Sequence, residues 1–230
     1  MNRRLYDMLE LVQEFWYFIT NLNETLPAFV EQYGLWIYVL LFMIIFVETG
    51  LVVMPFLPGD SLLFVAGSLA ARDDIPLSLG WLMALLVVAA ILGDNVNYWV
   101  GRYFGDRVMG WRLFGRALVR PKDMEKTHAY FEKYGPRTIV IARFVPIVRT
   151  LAPFAAGVGH MDYRRSFTPY NVVGAVVWIV LLSVAGYLFG QHPFVQKHYE
   201  TVILGIVFIS VLPMAVEFVR QFIAARRAKG

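Results

Sequence analysis

Two proline-broken stretches carry formal charges inside sequence that is otherwise apolar enough for a membrane, and they constrain the fold more than any other feature. One stretch begins at Glu48 and contains Asp60, and the other begins at Arg143 and contains Arg149. At membrane depth each charge costs about 2.5–3.5 kcal/mol on insertion scales, so charged side chains there usually mark functional sites. These four residues are therefore the candidate site.

Composition places the chain among polytopic membrane proteins. Of its 230 residues 58% are hydrophobic and 17% are charged, whereas about a quarter are charged in a soluble domain. The absence of cysteine excludes disulfides and thiolate metal sites. The histidines have no clustered spacing, so neither a metal site nor another cofactor is predicted. They are His128, His160, His192 and His198.

Three segments are long and apolar enough to span a bilayer, which takes about 20 residues. They are residues 77–101, 169–190 and 201–219. Residues 1–34 mix apolar and acidic positions, which fits either an interfacial or a spanning helix. A single membrane domain over residues 35–190 is predicted, followed by the C-terminal span.

The two charged stretches give only short apolar arms, which are typical of re-entrant segments that enter and leave on the same side. Residues 35–71 are predicted to form the first and residues 138–159 the second, with arms 138–145 and 151–159 around Arg149. Broken backbone at this depth is tolerated only where protein buries it or a wet cavity meets it. The residues expected to shape the turns are Pro58, Gly59, Pro146 and Pro153.

Positive charge falls in blocks that set the topology. Residues 102–137 hold nine of the 21 lysines and arginines, whereas residues 32–100 contain the single basic residue Arg72. Because basic loops stay in the cytoplasm, the 102–137 segment and the tail 220–230 are predicted to be cytoplasmic. The first re-entrant segment then enters from outside and the second from the cytoplasm.

A faint internal repeat agrees with that topology. F-V-A-G at 64–67 resembles F-A-A-G at 154–157, and G-R-Y-F-G at 101–105 resembles G-Y-L-F-G at 186–190. Chance matching of short apolar words is the alternative. Inverted repeats with broken helices are a common plan for secondary transporters. The predicted fold is an all-α polytopic membrane protein in which two opposed re-entrant hairpins, each followed by a transmembrane helix, form an inverted repeat, with a C-terminal transmembrane helix added.

Two further segments allow more than one interpretation. Residues 106–136 mix charged and apolar positions, which fits an amphipathic helix either on the cytoplasmic surface or packed on the bundle. Asp94, Asn95 and Asn97 fall near the inner end of the predicted span 77–101. Solvation, hydrogen bonding between helices or function would each account for them.

Four motifs in order resemble the DedA family of bacterial inner-membrane proteins, which is related to eukaryotic lipid scramblases. They are E-x(n)-P-x-L-P-G-D-S at 48–61, G-D-x-x-x-Y-x-x-G-R-x-x-G at 93–105, F-E-K-Y-G at 131–135 and A-R-F-V-P-x-V-R-T-x-A-P-x-x-A-G at 142–157. The resemblance covers residues 30–190. It implies an inner-membrane location and a need for Glu48, Asp60, Arg143 and Arg149.

The family's activities imply a lipid flippase that translocates undecaprenyl phosphate or a related anionic phospholipid, coupled to the proton motive force. The alternative is a proton-coupled ion or small-molecule antiporter that supports membrane-potential homeostasis. A non-transporting scaffold is a further possibility. An enzyme is not expected, because the chain has no H-E-x-x-H and no G-x-S-x-G motif. The expected partners are an anionic membrane lipid and protons, with no nucleic acid.

The chemistry of the four charges suggests their roles. Arg143 and Arg149 each present a planar fork of donors that matches phosphate oxygens, so they are the candidates for binding the lipid phosphate. Glu48 and Asp60 are candidates for proton coupling, because burial and a nearby arginine shift a carboxyl group in opposite directions. The structural alternative is that all four form salt bridges that lock the hairpins together.

Overall fold

The computed structural model describes residues 34, 36–51, 59–72, 77–110, 112–113, 116–117, 119 and 121–198. The predicted C-terminal span 201–219 with its tail, nearly all of residues 1–34, and Pro58 lie outside this part of the chain. In chain order the elements are α1 (Trp36–Gly50), α2 (Gly59–Leu69), α3 (Leu79–Gly110), β1 (Arg112–Leu113), β2 (Arg116–Ala117), α4 (Pro121–Tyr134), α5 (Thr138–Ala142), α6 (Pro146–Val158), α7 (Thr168–Gly190) and α8 (Pro193–Lys197).

The described chain is predominantly helical, as the sequence predicts. Two of its helices are long and apolar enough to cross a bilayer, over Leu79–Gly105 and Tyr163–Gly190. They correspond to the predicted spans 77–101 and 169–190. The first continues past the predicted end, because α3 extends for 32 residues to Gly110. Five residues in π-helical conformation, Tyr163–Phe167, lead directly into α7.

The first charged stretch supplies two short helices. The 15 residues of α1 and the 11 of α2 rise about 22 and 17 Å at about 1.5 Å per residue, less than the roughly 30 Å hydrocarbon core. Gly59, expected at the turn, is the first residue of α2. Each helix alone is thus too short to cross the bilayer.

The second charged stretch is also broken, but not around Arg149 as the sequence suggested. The break lies between α5 and α6, where Val145 is extended with φ −118° and ψ 104° and Pro146 is the first residue of α6. A residue before proline is driven out of the helical region, while proline itself fits the first turn of a helix. Arg143 therefore lies at the break, and Arg149 lies one turn inside α6.

Pro153 does not shape a turn, contrary to the sequence prediction, because α6 continues through it. Proline removes only its own donor, to the carbonyl four residues earlier. Hydrogen bonds are kept on both sides, from Arg149 N to Val145 O at 2.9 Å and from Gly159 N to Ala155 O at 2.8 Å. The helix thus accommodates the proline in its interior.

The segment 106–136 is not one amphipathic helix. The end of α3 is followed by a two-residue antiparallel pairing, Arg112 with Ala117 and Leu113 with Arg116, and α4 restarts at Pro121. The apolar face of α4 packs against α6 rather than lying free on a surface. That contact joins Met124 and Phe131 to Leu151, Phe154 and Ala155.

The described residues fall into two compact units. In one, α2 packs against the C-terminal half of α7. A Cβ on Gly67 would overlap the Ser183 carbonyl, a Cβ on Gly186 would overlap the Phe64 carbonyl, and Phe64 meets Phe189 edge to face at 5.5 Å. Glycine thus lets the two backbones approach closely.

The other unit contains α1, α3 to α6 and the N-terminal part of α7, and it repeats the same contact. A Cβ on Gly157 of α6 would overlap the Tyr98 carbonyl of α3, and a Cβ on Gly101 would overlap the Phe154 carbonyl. The short words of the internal repeat therefore make equivalent packing contacts. The F-V-A-G helix α2 packs on α7 and the F-A-A-G helix α6 packs on α3, so each contact joins helices of different repeats.

Candidate functional site

Two of the four predicted site residues form an ion pair. Arg149 Nη2 donates to Glu48 Oε1, joining α6 to α1 across 101 residues of sequence. Glu48 is 1% exposed. Gly59 provides the space for it, because a Cβ at that position would overlap the Glu48 carboxylate. In the structure Gly59 therefore makes room for the Glu48 carboxylate.

Arg143 is held by a different acid. Its Nη2 donates to Asp94 Oδ2 of α3 and, at 2.7 Å, to Asn171 Oδ1 of α7. Asn171 Nδ2 in turn donates to the Ile91 carbonyl at 3.3 Å, which fixes the orientation of the amide. Arg143, Asp94 and Asn171 are all buried.

Gly174 makes room for this arginine. A Cβ at that position would lie 2.9 Å from Arg143 Nε and 3.3 Å from the Val140 Cα. Among the groups that the structure describes, none accepts a hydrogen bond from Arg143 Nε. The Nη2 atom of Arg143 thus donates to Asp94 and Asn171, whereas its Nε–H is a donor without an acceptor among the described groups.

Trp178 connects the two arginines. The Arg143 Cζ lies 5.6 Å from the centroid of its indole ring and the Arg149 Cζ lies 5.5 Å from it, within the range of a cation–π contact. Asn171, Gly174 and Trp178 follow one another at i, i+3 and i+7, so they share one face of α7. On this face Asn171 accepts a hydrogen bond from Arg143, Gly174 leaves room for Arg143, and Trp178 contacts both arginines with its ring.

The paired groups line a narrow cavity of about 10 Å³, which has room for about one water molecule. It is lined by Glu48, Thr49, Arg143, Arg149, Thr150 and Trp178. Asn97 fixes the adjoining backbone, because its Nδ2 donates to the Thr150 carbonyl at 2.8 Å and to the Thr49 carbonyl at 3.2 Å. An anion that entered the pocket would therefore compete with the two carboxylates for the arginines.

Three of the four predicted charges thus come together, and Asp94 joins them. The sequence predicts Asp94 near the inner end of the span 77–101, but it is the sixteenth of the 32 residues of α3, because the helix continues to Gly110. A correct helix end would have revealed an acid in mid-membrane. Asp60 lies in the first turn of α2, and its part in proton coupling stays a prediction. Among the described residues, no group of three His, Cys, Asp or Glu is placed to hold a metal ion.

The structure has two arginine–carboxylate pairs, one buried and one partly buried, set among short apolar helices beside two helices of membrane-spanning length. These features define a membrane protein with a polar site inside its apolar part. Residues 57–188 match the VTT domain. The chain is 49% identical over 214 residues to Protein DedA of Escherichia coli strain K12, which covers 92% of this chain and 95% of that protein. It therefore belongs to the DedA family.

Two other relatives are more distant. The chain is 41% identical over 185 residues to an uncharacterized membrane protein of Mycobacterium tuberculosis strain H37Rv, with 80% of each chain covered. It is 34% identical over 184 residues to the inner membrane protein YghB of Escherichia coli strain K12, with 78% of each covered. No solved structure matches the chain.

Proposed function

We propose that this protein is a lipid transporter of the bacterial inner membrane that translocates undecaprenyl phosphate or a related anionic phospholipid, driven by the proton motive force and without covalent chemistry. The observation that carries the proposal is the convergence of Arg143 and Arg149 on one pocket, with an acid on each and Trp178 shared between them. The relative YghB is an inner membrane protein, which supports the location.

In the proposed cycle the carboxylates and the lipid phosphate compete for the same donors. When the acids are ionised they hold the arginines, and the pocket is electrically balanced. When Glu48 takes up a proton, Arg149 is released to the phosphate, whose oxygens match the guanidinium fork. Loss of that proton on the other side restores the ion pair and expels the phosphate. Asp60 is the second proposed proton-coupling residue.

The proposal assigns the broken helices to two opposed re-entrant hairpins, with the C-terminus in the cytoplasm. The shortness of α1, α2, α5 and α6 supports this arrangement, since none of them is long enough to cross the bilayer alone. Arg143 lies at the break between α5 and α6, and Glu48 lies near the end of α1. A pocket formed there would be reached by rearranging hairpins around a fixed site, as in transporters built from inverted repeats.

The test uses purified protein in liposomes that contain undecaprenyl phosphate. An imposed pH gradient is expected to change the fraction of the lipid phosphate that an added phosphatase reaches. A parallel experiment follows internal pH after addition of Na⁺ or K⁺. Phosphate movement without cation-driven pH change supports the lipid transporter. Cation-driven pH change alone supports the antiporter. The absence of both signals supports a scaffold.

Replacing either arginine by lysine is expected to reduce transport of the lipid phosphate strongly. Lysine keeps the charge but cannot donate from a planar fork. Loss of one charge-assisted hydrogen bond, worth about 1.5–3 kcal/mol, gives a decrease of about 10- to 150-fold in Arg143→Lys and in Arg149→Lys. Initial rates in the phosphatase assay measure it. Arg137→Lys is the matched control, because that arginine is exposed, and full activity in both site variants would contradict phosphate recognition by the forks.

A further inference from the structure

We propose that Asp94 is the acid that releases Arg143 to the lipid phosphate, so that the site has one titrating carboxylate for each arginine. This inference rests on the proposed function and assigns to Asp94 a role that the sequence motifs did not suggest. Asp94 is a positioning residue in this scheme, since it acts on the lipid through Arg143.

The contacts of Arg143 carry the inference. Its Nη2 donates both to Asp94 Oδ2 and to Asn171 Oδ1, so a charged and a neutral acceptor hold the same nitrogen. Asp94 is 4% exposed and Asn171 is fully buried. When Asp94 is neutral, Asn171 still accepts from Arg143. The arginine then stays in place with its charge available, instead of swinging out of the site.

The charge balance of the pocket gives the consequence. The groups that face Asp94 are Arg143, from the break before α6, and Asn171, from α7, while Arg149 of α6 acts on it electrostatically and Glu48 lines the same pocket. Two arginines against two ionised acids sum to zero, so a phosphate adds an unbalanced negative charge. Protonating one acid leaves a net charge of +1, and protonating both leaves +2, which suits a phosphate oxyanion.

The space around Arg143 agrees with a group that changes partners. Gly174 leaves the Nε side without a side chain against it, and Nε has no acceptor among the described groups. A buried donor without an acceptor is unfavourable. A phosphate oxygen at Nε would satisfy it, while a second oxygen replaces the carboxylate at Nη2. Nε is buried in this conformation, so a phosphate oxygen would reach it only after the packing around Arg143 changes.

The experiment measures binding of farnesyl phosphate, a short soluble polyprenyl phosphate, to the whole protein in nanodiscs by calorimetry at pH 8 and pH 6, with farnesol as the neutral control. At pH 8 Asp94→Asn should bind farnesyl phosphate about tenfold more tightly than the wild type, because the competing charge is gone. Between pH 8 and pH 6 the affinity of Asp94→Asn for farnesyl phosphate should increase about tenfold less than that of the wild type. Asp94→Glu retains an acid and should keep the wild-type pH response.

Asp162→Asn is the matched control for removal of one negative charge. Asp162 is exposed and accepts from the Arg165 amide at a helix start, where asparagine caps equally well. It should bind farnesyl phosphate as the wild type does at both pH values. Wild-type affinity and wild-type pH response in Asp94→Asn as well would overturn the role of Asp94 while leaving the proposed function intact.

A measurement without lipid separates the two proposals. The fluorescence emission of Trp178 is obtained by subtracting the spectrum of Trp178→Phe from that of the wild type. It should change on acidification, because Arg143 is released from Asp94 beside the indole ring. Asp94→Asn should lose the part of the emission change that comes from release of Arg143, and Glu48→Gln should keep that part. If the wild type shows this response but does not bind farnesyl phosphate above farnesol, the proposed lipid function fails and the Asp94 switch stands. A response that is identical in Asp94→Asn overturns the switch.

Discussion

Replacing Arg149 by methionine is expected to destabilise the protein by about 3–5 kcal/mol and to abolish transport of the lipid phosphate. Glu48 is 1% exposed, and removing one partner of a buried ion pair leaves the other charge uncompensated in a medium that solvates it poorly. Chemical unfolding of the purified protein in detergent micelles measures the first effect. The liposome phosphatase assay measures the second.

The double variant Glu48→Gln with Arg149→Met decides between a lock and a binding site. Replacing both partners removes the isolated charge, so most of the stability should return, as it does for other buried pairs. Transport should not return, because a donor to the phosphate is absent. If the double variant transports lipid at the wild-type rate, the pair serves as a structural lock. If Arg149→Met alone is as stable as the wild type, the pair contributes little to either role.

Gly157→Val is the second substitution with a large expected effect. A Cβ at that position would overlap the Tyr98 carbonyl and would lie 2.8 Å from the Arg102 amide nitrogen. Both are backbone atoms of α3, which cannot rotate away as a side chain can. Overpacking of this kind costs about 1–3 kcal/mol and sometimes more. The stability in detergent should fall accordingly, and Arg149 on the same helix should lose its place beside Glu48.

Gly80→Ala is the control, because nothing lies within 4 Å of a Cβ built there and alanine is a better helix former than glycine. Gly67→Val tests the equivalent contact in the other unit, where a Cβ would overlap the Ser183 carbonyl. Its cost should match that of Gly157→Val. Equal stability of Gly157→Val and Gly80→Ala would show that the close approach of α3 and α6 is not required.

The grouping of Glu48 with Arg149 was predictable from the sequence because the free energy of burying a charge demands a partner, and few partners exist in apolar segments. The acid that pairs with Arg143 was not predictable, because a hydropathy pattern does not fix where a long helix ends. Basic residues after residue 101 suggest a cytoplasmic loop, yet α3 continues to Gly110. Asp94 therefore lies in mid-helix, and its side chain faces a charge 49 residues away.

The breaks were predictable in kind and not in position. Val145 and Pro146 show the expected effect of proline on its neighbours, whereas Pro153 lies inside a helix because its missing donor affects a single carbonyl. The short pairing of residues 112–113 with 116–117 has no periodicity that a two-residue strand could display. Packing decides it. The internal repeat predicted similar elements, but not that each glycine contact joins helices of different repeats.

The separation of Glu48 and Arg149 along the chain has a consequence for biosynthesis. Glu48 leaves the ribosome 101 residues before its partner, and at about 5–20 residues per second this interval lasts about 5–20 s. During that time an isolated acid is next to or within the bilayer. Its neutral, protonated form is then the less costly one to insert. Protonation of Glu48 would therefore lower the cost of inserting it before Arg149 is made, and formation of the ion pair would then release that proton.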